Sequence, residues 1–327
     1  MHKRLFIPGP VEVAEDVLQK MATPQISHRG KEASTLQRNI SDKMRKVFNT
    51  KEEILLSTSS GSGLMEGAVR SCTAKRAAIF SVGAFGNRWF QMCTANGVPA
   101  DKFESEWGMP TTKEMIEEVL QTGKYDLITI TMNETSTGLM NNMEDLSSVY
   151  KKYPDVVVCV DTVSNAAGTE VKVDDWAIDI CITSTQKCLG LPAGMSICTF
   201  SKKAVERAKQ VTNRGVYFDL LGLYECIQKK DYQYPSTPSL SHMFALDYQL
   251  DKILEEGLEN RYARHIAGAE VVREWARKYF AIFPDENFLS NTVTAIKNTK
   301  EINISDLNKK LGEKGFMISN GLWKVKR

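Results

Sequence analysis

Val156-Val157-Val158-Cys159-Val160-Asp161-Thr162-Val163-Ser164 is the stretch that decides how this chain folds, read together with Thr183-Ser184-Thr185-Gln186-Lys187-Cys188-Leu189-Gly190. Five successive apolar, mostly β-branched residues leave no polar face, so the first stretch predicts a strand buried on both sides. Such a strand needs helices above and below it, and the flanking sequence offers them. Residues 54–58 predict a strand, followed by the turn Ser59-Ser60-Gly61-Ser62-Gly63 and a helix to Cys72. Strand 77–82 precedes helix 86–96. Helix 112–121, stopped at Gly123, precedes strand 126–132, and helix 144–153 leads into the Val156 stretch. Residues 180–183 and 195–200 complete the series. Strands and helices alternating in this way predict an α/β fold: a mostly parallel sheet sandwiched by helices.

After Ser239 the pattern changes. Two long helices are expected, 240–256 and 258–279, then a strand at 292–296 and a helix at 304–314 ended by Gly315. The expected division is an N-terminal arm (1–15), a large domain (16–257) and a smaller C-terminal α+β domain (258–327).

Bulk properties exclude several function classes. With 42% hydrophobic residues, 25% charged residues and a net charge of +2, the chain has neither the field for nucleic acid nor a polybasic membrane face. No apolar run approaches membrane-spanning length, and Pro8-Gly9-Pro10 interrupts the only apolar residues near the start, so a cytoplasmic protein is expected. The seven cysteines contain no Cys-x-x-Cys pair and read as reduced thiols. Four histidines without a His/Cys cluster give no support to a metal site.

In a parallel sheet, chemistry belongs to the loops after the strands. Lys187 lies in one of them, 26 positions after Asp161, which ends another. Burial would depress the lysine's pKa and free its amine for imine formation. Asp161 could pair with a protonated pyridine nitrogen. The Ser59–Gly63 turn, at a helix start, could bring amides to a phosphate. Each has an ordinary alternative: a surface lysine, a helix cap or metal ligand, and a generic strand–helix turn.

Taken together, these blocks resemble the class V pyridoxal-phosphate-dependent aminotransferases, in particular the alanine–glyoxylate/serine–pyruvate group. The resemblance runs from Phe6-Ile7-Pro8-Gly9-Pro10 through Ile26-Ser27-His28-Arg29-Gly30 to the end, and is most specific at Val160–Ser164 with Ser184–Lys187. It implies a fold-type I transferase whose small domain is here incomplete. Carried over by position, Lys187 resembles the Schiff-base lysine and Asp161 the partner of the ring nitrogen. Ser60, Gly61 and Ser62 match the turn on the cofactor phosphate, with Gln186 beside it. Phe85, in Val82-Gly83-Ala84-Phe85-Gly86-Asn87-Arg88, matches the aromatic stacked on the ring. Thr135 matches the hydroxyl near the phenolic oxygen, and Val163 a residue packed on the ring. Tyr234 and Thr237 match residues reaching the phosphate from a neighbouring subunit, which implies a homodimer with sites at the interface. His28-Arg29 is expected near the entrance or in a structural role.

The activity implied is ping-pong transamination, from a small amino acid such as alanine or serine to a 2-oxo acid such as glyoxylate or pyruvate. On the same resemblance, a 2-aminoethylphosphonate–pyruvate aminotransferase and a non-catalytic relative stay open. A cysteine-desulfurising lyase would need a histidine where Phe85 stands. Relatives continue past this chain's end with an arginine that grips the substrate carboxylate. Here Arg327 would have to fill that place, and weak substrate affinity is expected.

Overall fold

The computed structural model describes residues 2–321. Its centre is a seven-stranded sheet, its strands numbered in chain order: β1 (Glu53–Ser57), β2 (Ala77–Ser81), β3 (Ala100–Glu104), β4 (Leu127–Thr131), β5 (Val157–Asp161), β6 (Ile180–Ser184) and β7 (Ser196–Phe200). They lie in the order β1-β7-β6-β5-β4-β2-β3. β7 runs antiparallel to both its neighbours, and the other pairings are parallel.

Successive side chains of a strand point to opposite faces, and here they enter two separate cores. Val157 and Cys159 join Leu55, Ile79, Leu127 and Ile182 in one; Val158 and Val160 join Ile54, Phe80, Ile128 and Ile130 in the other. Helices, also numbered in chain order, cover both. The second core packs under α1 (Glu15–Met21), α2 (Lys31–Phe48), α5 (Lys113–Gln121), α6 (Met143–Tyr150) and α9 (Leu240–Glu256); the first lies under α3 (Gly61–Cys72), α4 (Ala84–Ala95), α7 (Lys202–Gln210) and α8 (Leu220–Lys229). The unbroken apolar run of β5 is what a strand with helices on both faces requires.

Parallel pairing brings the carboxyl ends of β4, β5 and β6 to one edge of the sheet. The opposite edge is clamped by two aspartates. Asp126 accepts the amides of Ala74, Lys75 and Arg76 at 2.9, 2.9 and 3.0 Å and an Arg207 nitrogen at 2.7 Å. Asp179 accepts the Val158 amide at 2.9 Å, the Ser201 hydroxyl at 2.5 Å and the Lys203 ammonium at 2.8 Å.

Beyond α9 the long α10 (Leu258–Tyr279) leads to Ala281–Ile282, which pairs with Ile296–Lys297, and to α11 (Ile304–Glu313). The strand expected at 292–296 is confined to its last residue and Lys297. The amides of Thr292 and Val293 are taken by the Ser290 hydroxyl, and the Thr292 hydroxyl donates to the Ser164 carbonyl, so that segment is tied to the β5 loop instead. The sequence reading had no place for β3, whose charged Asp101, Lys102 and Glu104 suit a sheet edge. Nor did it foresee that Arg4–Phe6 pairs in parallel with Phe316–Ile318, joining the chain's start to its C-terminal part.

Removing the Asp126 carboxylate leaves three amides without their acceptor and takes the ion-pair partner from Arg207, which keeps only the Asp126 and Asp155 carbonyls. Asp126→Ala should cost about 2–4 kcal/mol of stability, measured by urea denaturation. A variant as stable as the wild type would mean that the clamp is idle.

Candidate active site

Asp161 and Lys187 leave adjacent strands. β5 and β6 pair with Asp161 opposite Ile182, so the loops after both strands open at the same edge. Asp161 is 4% exposed, and its Oδ1 accepts the Val163 amide at 2.8 Å. Desolvation pushes its pKa up to about 7; nearby Glu134 adds to the rise, while the Val163 bond, Lys187 and Arg88 oppose it. Burial moves Lys187 the other way, lowering its pKa and easing access to the neutral amine. Its Nζ donates to the Pro8 carbonyl at 2.6 Å. Gly9, at φ +126°, lies flat on it: a Cβ there would fall 2.7 Å from the lysine's Cδ and Nζ.

Two helices begin beside this pair, and their N-termini differ. Ser60 enters α3 in extended conformation with no side-chain cap, and the Gly61 and Ser62 amides have no acceptor among the described residues. Gly61 is required by proximity, because a Cβ would sit 2.7 Å from a Val163 methyl carbon. At α4, by contrast, the buried Glu134 carboxylate accepts the Phe85 and Gly86 amides at 2.9 and 3.2 Å. One helix start is thus filled by the chain's own anion, and the other is left open to one.

The remaining expected residues take these places. Gln186 accepts the Ser184 hydroxyl at 2.6 Å. Thr135 is buried next to Glu134 in the loop after β4. Ser62 accepts an Arg88 nitrogen at 3.2 Å, and that guanidinium lies 5.2 Å from the centre of the Phe85 ring. Tyr234 is buried in its own chain, its hydroxyl accepting the Thr58 amide at 3.2 Å, while Thr237 is exposed. Arg29 donates to the Tyr234 and Pro235 carbonyls, so it braces that loop; His28 is partly buried. Arg327 lies outside the described residues. Glu134, Arg88 and the Pro8–Gly9 cover over Lys187 were not singled out in the sequence, although Arg88 and Pro8–Gly9 stand inside blocks quoted there and Glu134 precedes Thr135.

Three handles of pyridoxal phosphate find complements here. Its aldehyde suits the amine of Lys187, its ring nitrogen the desolvated Asp161, and its phosphate the open start of α3. A cleft of about 490 Å³ lined by Met132, Met143, Trp176 and Tyr262 contains none of these residues. Among the described residues no group of three or more His, Cys, Asp or Glu could hold a metal, and no helix is long and apolar enough to cross a membrane.

The family model described as aminotransferase class-V matches residues 12–323. A protein of Methanocaldococcus jannaschii, described as an uncharacterized aminotransferase, is 37% identical over 98% of this chain and 84% of its own length. The serine–glyoxylate aminotransferase of Methylorubrum extorquens is 32% identical over 89% of this chain and 76% of its own. The crystal structure of alanine–glyoxylate aminotransferase from Nostoc sp. shares the fold, with a TM-score of 0.93 at 23% identity over 99% of this chain and 88% of that one.

The protonation of Asp161 is testable without cofactor. Folded, it keeps its proton up to about pH 7; unfolded, it ionises near its ordinary 3.8. A group that binds its proton more tightly when folded costs stability as pH rises between those values, and the cost is constant above them. Cofactor-free Asp161→Asn should therefore melt higher than the wild type at pH 8, with the gain shrinking toward pH 5. A gain that is absent at pH 8, or unchanged at pH 5, would contradict the burial argument.

Proposed function

The chain belongs to the class-V aminotransferase family, and from that premise we propose that it carries an amino group from a small amino acid, alanine or serine, to a 2-oxo acid, glyoxylate or pyruvate. That it is a transaminase using pyridoxal phosphate goes with the family. The observation that carries the proposal is the meeting, at one sheet edge, of a partly buried lysine, a buried carboxylate and a helix start without a cap. The names of the relatives, serine–glyoxylate aminotransferase among them, support the small donor and glyoxylate.

When bound, pyridoxal phosphate supplies a carbonyl that condenses with amines and a ring that accepts the electron pair left when a Cα proton departs. The protein's own groups do the rest in this reading. Lys187 Nζ, lowered in pKa by burial, would take the proton from the substrate Cα and hold it for return on the far side of the substrate nitrogen. Asp161 would pair with the ring nitrogen and hold a proton there, because the low-dielectric surroundings that make its lone charge costly would strengthen its bond to a cation. The Gly61 and Ser62 amides would hold the phosphate, with Ser60 and Gln186 beside them. Thr135 would serve the phenolic side, and Phe85 and Val163 would pack on the ring. Pro8 and Gly9 shield the lysine from water.

The working unit in this proposal is a cytoplasmic homodimer, divided as the sequence suggested into arm, large and small domains. Thr237, exposed in the single chain, is the residue that would reach a partner's phosphate. Tyr234 is the second such residue; its hydroxyl accepts the Thr58 amide in its own chain, which leaves the O–H able to donate to a phosphate.

A steady-state screen of amino acids against glyoxylate, pyruvate and 2-oxoglutarate should find alanine or serine among the best donors and glyoxylate or pyruvate among the acceptors. Turnover confined to 2-aminoethylphosphonate, or no turnover with any pair, would refute the substrate assignment. Separately, borohydride reduction of the loaded protein should fix the cofactor's mass on the peptide containing Lys187. Labelling of another lysine would overturn the site.

A further inference from the structure

We propose that Glu134 is a positioning residue: its buried carboxylate clamps the first turn of α4 and so holds the Phe85 ring at the face of the cofactor site. This rests on the reading that pyridoxal phosphate binds at Lys187.

Glu134 is 0% exposed and stands just past β4, in a two-residue strand paired with Leu139–Met140. Every hydrogen-bonding group that meets its carboxylate is a donor. Oε2 accepts the Phe85 and Gly86 amides, and Oε1 accepts the Ser136 amide at 3.0 Å and its hydroxyl at 2.6 Å. The Ser136 oxygen also accepts the Ala84 amide at 3.0 Å, so its hydrogen is directed to Glu134. Four donors and no acceptor describe the setting of an anion, which an amide side chain cannot reproduce. Three consecutive amides of α4, from Ala84 to Gly86, are thereby tied to this one loop.

The backbone is shaped for that contact. A Cβ on Gly83 would fall 2.6 Å from Glu134 Cγ and 2.6 Å from Ser136 Oγ, and one on Gly86 would fall 2.6 Å from Ser81 Cα. Glycines on both sides of Ala84-Phe85 let the helix start press onto the carboxylate and the sheet. Phe85 itself is partly exposed and belongs to neither hydrophobic core, nor to the apolar residues packed against them. Its ring has Arg88 as a neighbour, not a socket of core side chains. What fixes the ring is therefore its backbone, and what fixes the backbone is Glu134.

Glu134→Gln keeps the shape but sets an NH₂ group against either the Phe85 and Gly86 amides or the Ser136 amide and hydroxyl, so donors meet whichever way the amide turns. Two measurements follow. In cofactor-free protein, hydrogen exchange of the segment 83–88 should quicken by about tenfold or more while the rest of the α3–α4 layer is unchanged. In loaded protein, pyridoxal phosphate affinity by fluorescence titration should weaken about tenfold, the size of one good hydrogen bond lost, with a shift in the bound cofactor's absorption spectrum. Ser136→Ala, a milder change, should move both in the same direction and carries the test should Glu134→Gln not fold. A lowered melting temperature with affinity and spectrum intact would mean a merely structural carboxylate and overturn the proposal. Unchanged exchange at 83–88 would overturn the clamp. A wild-type chain that binds no pyridoxal phosphate would instead overturn the functional reading, while the exchange result still reports on the clamp.

Discussion

A carboxylate held out of water at the end of a strand is the constraint from which the rest of this structure follows. Asp161 completes β5 at the point where the sheet's apolar interior gives way to polar loops, with the Val163 amide as its hydrogen-bond donor. Taking a carboxylate out of water with so few partners is costly, and its raised proton affinity expresses that cost. Folding tolerates it because the two cores on either side of β5 contribute far more than one charge removes. Among the described residues no ion pair reaches Asp161, and apart from the Val163 bond only the charges of Lys187 and Arg88 oppose the rise.

Around that group the chain distributes charge by a simple rule. Buried anions are met by clusters of backbone amides and hydroxyls, with a basic side chain alongside at Asp126 and Asp179. Asp126 collects three successive amides at the far end of the sheet, and Glu134 collects three amides and a hydroxyl at the near end. The start of α3 has no such carboxylate on its amides among the described residues, and it lies beside the Asp161 loop. An anionic ligand would complete there the pattern that the protein's own carboxylates complete elsewhere. The glycines at 61, 83 and 86 serve the same end, each allowing backbone to approach where a Cβ would collide.

Much of this was legible before any coordinates. The apolar run before Asp161, the lysine after the next strand but for one loop, and the Ser/Gly turn before α3 depend on spacing within a few residues. Local periodicity and turn chemistry report such spacing well. The long helices α9 and α10 were read to their final residues because both start and stop at recognisable boundaries, Ser239 and the Gly257 between them. The strand at 292–296 was misread for a reason equally local. Val293 and Ile296 look like strand residues, and nothing nearby in sequence reveals that the Ser290 hydroxyl captures the amides before them.

The sequence by itself determined the layered fold, the edge where chemistry sits and the two titratable groups, Asp161 and Lys187, that follow neighbouring strands there, because each is written in residues close together in the chain. Only the tertiary structure decided which distant groups complete the site. Pro8 covers an amine 179 positions away, Glu134 reaches back 49 positions to hold Phe85, and Tyr234 turns onto Thr58 across 176. Contacts of that length leave no periodic trace in the sequence. They arise when parallel strands bring the ends of separate segments to one edge, and the buried amides and carboxylates gathered there must find one another.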